Sequence, residues 1–147
     1  MKKLPIGIQS IEKILGKDAY IYIDKTHFAQ QLIEGDAQHY FLSRPRRFGK
    51  SLFLDTLKEI LRGNKELFKD CHIYQADYDW QPYTVLTFNF RDPDNATPEA
   101  LEVGLRSIID DIAEVHAIEL KQPTLRLRLK ALVRKLAAQQ PRCRSRR

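Results

Sequence analysis

Cysteine, methionine and tryptophan are scarce in these 147 residues, with two, one and one of each. The two cysteines, Cys71 and Cys143, lie far apart in unrelated contexts, and no C-x-x-C or H-x-x-H pair accompanies them. Cys71 is followed directly by His72, and neighbours in sequence are badly placed to chelate one ion, so plain thiols are expected rather than a zinc site. Long apolar runs are lacking too. Met1-Lys2-Lys3 is basic, but neither a signal-peptide core nor a membrane span follows, and the expected location is cytoplasmic. No internal repeat or low-complexity block interrupts the chain. With 43% hydrophobic and 30% charged residues it reads as one globular domain rather than a disordered segment.

Charge of one sign is in excess, at +6, but unevenly. Arg142, Arg144, Arg146 and Arg147 fall within the last seven residues; taking these four from 25 basic residues leaves 21 against 19 acidic ones. The body is therefore close to balanced, and residues 139–147 are expected to be an unstructured basic tail behind a domain of residues 1–138.

The most informative stretch is H-Y-F-L-S-R-P-R-R-F-G-K-S-L-F-L, residues 39–54. An apolar run predicts a strand at 39–43, a loop rich in arginine follows, and helical spacing begins at Lys50 and runs to 62, stopped by Gly63. Strand, tight loop and helix starting at Lys-Ser is the order of a phosphate-binding loop. Backbone N–H groups of loop and first helical turn converge there, and the helix dipole adds positive potential. Gly49 lets the backbone approach phosphate oxygens, Lys50 has the reach for terminal phosphates, and Ser51 offers a hydroxyl to Mg²⁺. The pattern G-x-x-x-x-G-K-[ST] asks for glycine at 44, where Arg44 stands. A bare G-K-[ST] arises by chance in roughly one such chain in ten, so a basic loop before an ordinary helix start is the competing reading.

Around this stretch the periodicity predicts more helices. Ser10 caps a short one ended by Gly16, Asp24 caps 25–34, and Asn64 caps a further short helix at 65–69. Thr97-Pro98 starts a helix to about 115–118, with Asp110 and Asp111 towards its outer side. Pro123-Thr124 starts a last helix to about 138, with Arg126, Arg128, Lys130, Arg134 and Lys135 on solvated faces. Residues 19–23 read as extended, and T-V-L-T-F-N-F at 84–90 is the best strand candidate. The aromatic stretch 74–82 is expected to be irregular and to pack rather than to stack on bases.

S-R-P-R-R-F-G-K-S-L, together with Y-I-D-K-T at Tyr22 to Thr26 and L-P-I-G-I at 4–8, resembles the bacterial AAA-ATPase-like family over about residues 4–138. In that family the first loop glycine is commonly replaced, so the resemblance accommodates Arg44. It implies an α/β fold in which short parallel-sheet strands are covered by helices, here as an incomplete P-loop domain whose two strands are not neighbours. It also implies nucleotide binding, ATP or another nucleoside triphosphate with Mg²⁺, at Arg47, Phe48, Gly49, Lys50 and Ser51, with Ser51 touching the metal. The family's Walker B segment, apolar residues ending in acidic ones, should follow the last helix. None is present; Asp92 and Asp94 follow the wrong strand. The chain is thus expected to be an interrupted form that binds nucleotide without hydrolysing it, an ATPase by resemblance only. Nothing corresponds to the nuclease-like domain of larger members. The alternative function is a non-enzymatic basic module using Arg44, Arg46, Arg47 and the tail to bind nucleic acid or acidic partners. Oligomeric state, nucleotide preference and any role for Asp24 and Lys25 beyond capping and a surface charge pair stay open.

Overall fold

A computed structural model describes residues 2–16, 19–90 and 96–139. The loop expected at 92–97 in its greater part, Asp92, Asp94, Cys143 and the arginine tail lie outside the described residues. Two compact units divide the chain, Met1–Val85 and Leu86–Arg147.

The first unit contains α1 (Ile11–Leu15), α2 (Thr26–Glu34), α3 (Lys50–Leu61), a 3-10 helix (Lys65–Phe68) and α4 (His72–Gln75). Its core gathers the fully buried Ile11, Ala29, Ile60, Phe68 and Ile73, with Cys71 almost as deep. Each large side chain so buried contributes about 1.5–3 kcal/mol. The aromatic stretch packs here as expected. Trp80 lies 5.9 Å from the Phe68 ring and 5.2 Å edge-on from Tyr78. Short α4 was not expected from the sequence.

The helix ends follow the sequence closely. Ser10 accepts from the Lys13 N–H at 3.5 Å. At the end of α3, Gly63 takes φ +78°, its N–H donates to the Ile60 carbonyl (3.0 Å), and the Asn64 N–H reaches the Glu59 carbonyl (3.1 Å). This pair of bonds is a Schellman closure, which calls for a left-handed residue at position 63. A Cβ there would also sit 2.9 Å from the Trp80 carbonyl oxygen.

The second unit packs α5 (Pro98–Val115) with α6 (Leu125–Gln139) around Ile109, Ala113, Ile118, Leu132 and Leu136. Thr97 caps α5 through the Ala100 N–H (3.1 Å), with Pro98 at the first helical position. Arg128 is not on a solvated face. Its guanidinium engages Asp110 of α5 (Nε to Oδ1 3.1 Å) and the Gln122 carbonyl (3.0 Å), while Arg106 donates to the Pro123 carbonyl (2.7 Å). Asp110 is therefore a packing partner of α6.

The α/β expectation fails. Among the described residues every named element is helical, and the only ladder contact is a single parallel bridge between Lys3 and Tyr20. The predicted strands 39–43 and 84–90 form no ladder, and Phe90 lies in a turn. A strand exists only when a second backbone satisfies its N–H and C=O groups. Composition at both places favours extended backbone without supplying the partner. Phe41, expected inside a sheet, is 93% exposed; Leu86 and Phe88 instead pack on the second core. No described helix is long and apolar enough to cross a membrane.

Candidate functional site

The loop before α3 is unusual in its backbone. Arg47 takes φ +67° and Gly49 φ +74°, both left-handed. Glycine adopts this at no steric cost; arginine does so at roughly 1–2 kcal/mol. Gly49 is the residue on which α3 begins, and no side chain caps the helix there. The first-turn N–H groups of a helix have no intrahelical partner, so an uncapped start at Lys50 and Ser51 leaves positive potential facing outward. A Cβ on Gly49 would meet nothing within 4 Å, so its requirement is conformational and not steric.

Lys50 is half-buried. Its ammonium turns back across the loop, donating to the Arg44 carbonyl and to the Pro45 carbonyl (3.0 Å). The cation is held inside the curve of the loop by two neutral acceptors. Ser51, one residue on, is exposed, as are Arg44, Arg46, Arg47 and Phe48. All five residues singled out from the sequence, Arg47 to Ser51, thus lie together at the start of α3.

Beside the loop opens a cavity of about 260 Å³ between α2 and α3. Lys25, Arg44 and Lys50 line it together with apolar side chains, and no carboxylate does. Among the described residues no group of three histidine, cysteine or acidic side chains is placed to hold a metal. Ser51 is the hydroxyl at the helix start.

Asp24 is not the N-cap of α2 that the sequence suggested; Lys25 holds that position, and Asp24, one residue earlier, ties two helix starts together. Helix α2 starts at Thr26, whose N–H donates to Asp24 Oδ1 (2.8 Å). The other oxygen, Oδ2, accepts from the His72 N–H at the start of α4 (2.6 Å), and Thr26 Oγ1 accepts from the Ile73 N–H (3.1 Å). Partial burial opposes ionisation of Asp24, but the N–H groups of His72 and Thr26 and the Thr26 hydroxyl outweigh it and hold the carboxyl below its usual range. A matching device joins α3 to α1, where Asp55 Oδ2 accepts from the Ile11 N–H (2.8 Å). The Asp-x-Thr spacing signals a local cap, whereas no sequence signal names His72 as the second donor. Nearby, burial, followed by the charge of Cys71, pushes the Tyr22 phenol up to about 12, and burial pushes the Cys71 thiol up to about 12.

Comparison with known proteins bears on the whole chain. One curated relative, named "Uncharacterized protein in vnfD 5'region" and found in Azotobacter chroococcum mcd 1, is 57% identical over 90 residues. That alignment covers 60% of this chain and 17% of the relative, so the chain matches less than a fifth of that protein's length. No solved structure matches. A family model described as "Predicted AAA-ATPase" matches residues 5–142, which takes in both helical units and the loop at Lys50. With so much of its length matched, the chain belongs to the AAA-ATPase-like family of predicted AAA-ATPases.

Proposed function

We propose that the loop from Arg44 to Ser51 binds the phosphates of a nucleoside triphosphate, ATP foremost, as a Walker A variant. The observation that carries this reading is Lys50, whose ammonium is folded over a loop with two left-handed residues at the uncapped start of a 12-residue helix. Left-handed non-glycine residues cluster where a backbone is held for a purpose, and Arg47 is one. Anion binding needs the helix start, the permissive glycine and the cation; it does not depend on a sheet behind the loop. On binding, phosphate oxygens replace the Arg44 and Pro45 carbonyls as acceptors of Lys50, and Mg²⁺ arriving with the nucleotide takes the Ser51 hydroxyl. The ligand is one that the cytoplasm supplies in abundance.

Turnover is a separate matter. Phosphoryl transfer needs an acidic partner for the metal and a group that orients water, whereas the cavity is lined by cations, one amide and apolar side chains. We read these residues as binding nucleotide without hydrolysing it; steady, Lys50-dependent phosphate release would refute that. Titration calorimetry with Mg-ATP tests the binding itself. Replacing a charge-assisted hydrogen-bond donor costs about 1.5–3 kcal/mol, so Lys50→Ala should weaken binding about 10- to 100-fold. Equal affinity in wild type and variant would remove the reading, as would affinity that ignores Mg²⁺ and collapses with salt in the manner of nonspecific polyanion binding.

A further inference from the structure

The charges of the second unit are sorted by helix. On α5, Arg106 donates to the Pro123 carbonyl, Asp110 is engaged by Arg128, and Glu102 lies 3.9 Å from Arg106. On α6, Arg128 is held by the same contact, and Lys135 donates to the Glu119 carbonyl (2.7 Å). What remains is of one sign on each helix. Glu99, Asp111 and Glu114 on α5, and Arg126, Lys130 and Arg134 on α6, are exposed, and among the described residues their side chains have no hydrogen-bond or ion-pair partner. Helix α6 holds no acidic residue at all.

Neither stripe suits an isolated helix. Arg126, Lys130 and Arg134 recur every four residues, which places like charges about 6 Å apart along the axis, and like charges at that spacing destabilise a helix. Arg126 also stands in the first turn of α6, against its positive end, and Glu114 in the last turn of α5, against its negative end. Carboxylates brought to α6 and cations brought to α5 would remove both penalties. Each stripe carries aliphatic groups as well. At 3.6 residues per turn, Glu99, Val103, Asp111 and Glu114 fall within about 120° of the α5 surface. Val103 is 69% exposed there. Arg126, Leu127, Lys130, Val133 and Arg134 fall within a similar arc of α6, and Leu127 and Val133 are half exposed.

We propose that these faces are the two halves of one interface: the acidic α5 face of one copy of this chain docks on the basic α6 face of a second copy. The faces match in sign, in number of charges, three against three, and in the aliphatic groups set among them. Complementary charge of this kind fixes register and rejects wrong partners, while the aliphatic groups supply apolar area to bury. Nucleic acid or an anionic lipid surface would account for the cations of α6 but leaves the carboxylates of α5 without a role. A second copy uses both faces.

Sedimentation velocity of the full chain over about 1–200 μM should show reversible self-association, micromolar affinity being the weak end of the range for specific interfaces. Raising salt from about 50 to 500 mM should weaken it severalfold, because exposed charges are screened. Reversing the α6 cations in one chain (Arg126→Glu, Lys130→Glu, Arg134→Glu), or the α5 carboxylates in another (Glu99→Lys, Asp111→Lys, Glu114→Lys), should weaken self-association at least about tenfold, since three attractions become repulsions. Mixed in equal amounts, the two variants should associate again, because each supplies the face that the other needs. All six side chains are exposed, so helix content by circular dichroism should hold in both variants. A wild type that stays monomeric throughout the range overturns the proposal. So does association that salt or either variant leaves unchanged, or that two folded variants do not recover on mixing. A monomer that binds an oligonucleotide or anionic vesicles, and loses that binding in the α6 variant, assigns the basic face elsewhere and overturns it too. The salt series needs no variant, so a misfolded chain cannot shield the proposal.

Discussion

Removing the Asp24 carboxylate should loosen the first unit, and the structure lets the loss be sized. Asp24→Ala strips the acceptor from two backbone N–H groups, Thr26 at 2.8 Å and His72 at 2.6 Å, each at the start of a helix. A hydrogen bond to a charged group is worth about 1.5–3 kcal/mol, and loss of an N-cap acceptor typically about 1. The side chain is part-exposed and water can replace it in part, so about 1 kcal/mol per bond is the fair figure, or about 2 in all. For a unit of this size each kcal/mol moves the midpoint by about 4–8 °C, which puts the drop near 8–16 °C. Trp80, the single tryptophan, packs on Phe68 in this unit's core, so its fluorescence on heating reports the first unit alone. Asp24→Asn should fall between, because its amide has one acceptor and one donor where two acceptors are needed. The pH dependence has a definite sign. A carboxyl held below its usual range in the fold contributes stability that is fully present above its unfolded value, near 4, and is lost as pH falls through the folded value. The gap between wild type and Asp24→Asn should therefore be constant from neutrality to about pH 5 and close below about pH 4. A drop of less than about 2 °C for Asp24→Ala, or a gap unchanged at pH 3, would show that the α2–α4 clamp does not hold the unit together.

Gly49 and Gly63 share nearly the same left-handed φ but differ in surroundings, one open and one 2.9 Å from the Trp80 carbonyl oxygen. Gly49→Ala should cost about 1–2 kcal/mol in urea unfolding, the conformational penalty alone, and Gly63→Ala clearly more; equal losses would refute the steric part of this account. Cys71, with its thiol pushed up to about 12 by burial, should remain protonated and unreactive to a thiol reagent at pH 8 in a Cys143→Ser chain, and react at once in denaturant.

The helices were legible because a helix closes its hydrogen bonds within its own segment. Spacing and caps placed α3 within a residue of its observed ends and the start of α5 at Thr97-Pro98, with the end of α5 within three residues. The strands were misread for the opposite reason. T-V-L-T-F-N-F prefers extended backbone, yet pairing depends on a partner that local composition cannot announce. At the candidate site, Gly49, Lys50 and Ser51 do stand at a helix start, but the inward turn of Lys50 and the left-handed Arg47 are products of loop geometry. The second bond of Asp24 spans 48 residues and leaves no periodic trace.

The order in which the units can form follows from the spans of their tethers. In the first unit the bonds that start α1 and α4 join residues 44, 47 and 48 apart, and these helices have only five and four residues. Helices so short do not persist on their own, so they appear only after α2 and α3 have been brought together by chain closure. In the second unit three bonds, α5 to the turn, α6 to the turn and α5 to α6, bridge 16 to 18 residues. Closing 48 residues rather than 18 costs about 0.9 kcal/mol more in chain entropy. The α5–α6 pair is therefore the faster folder, and α1 and α4 are the last pieces of the first unit to set.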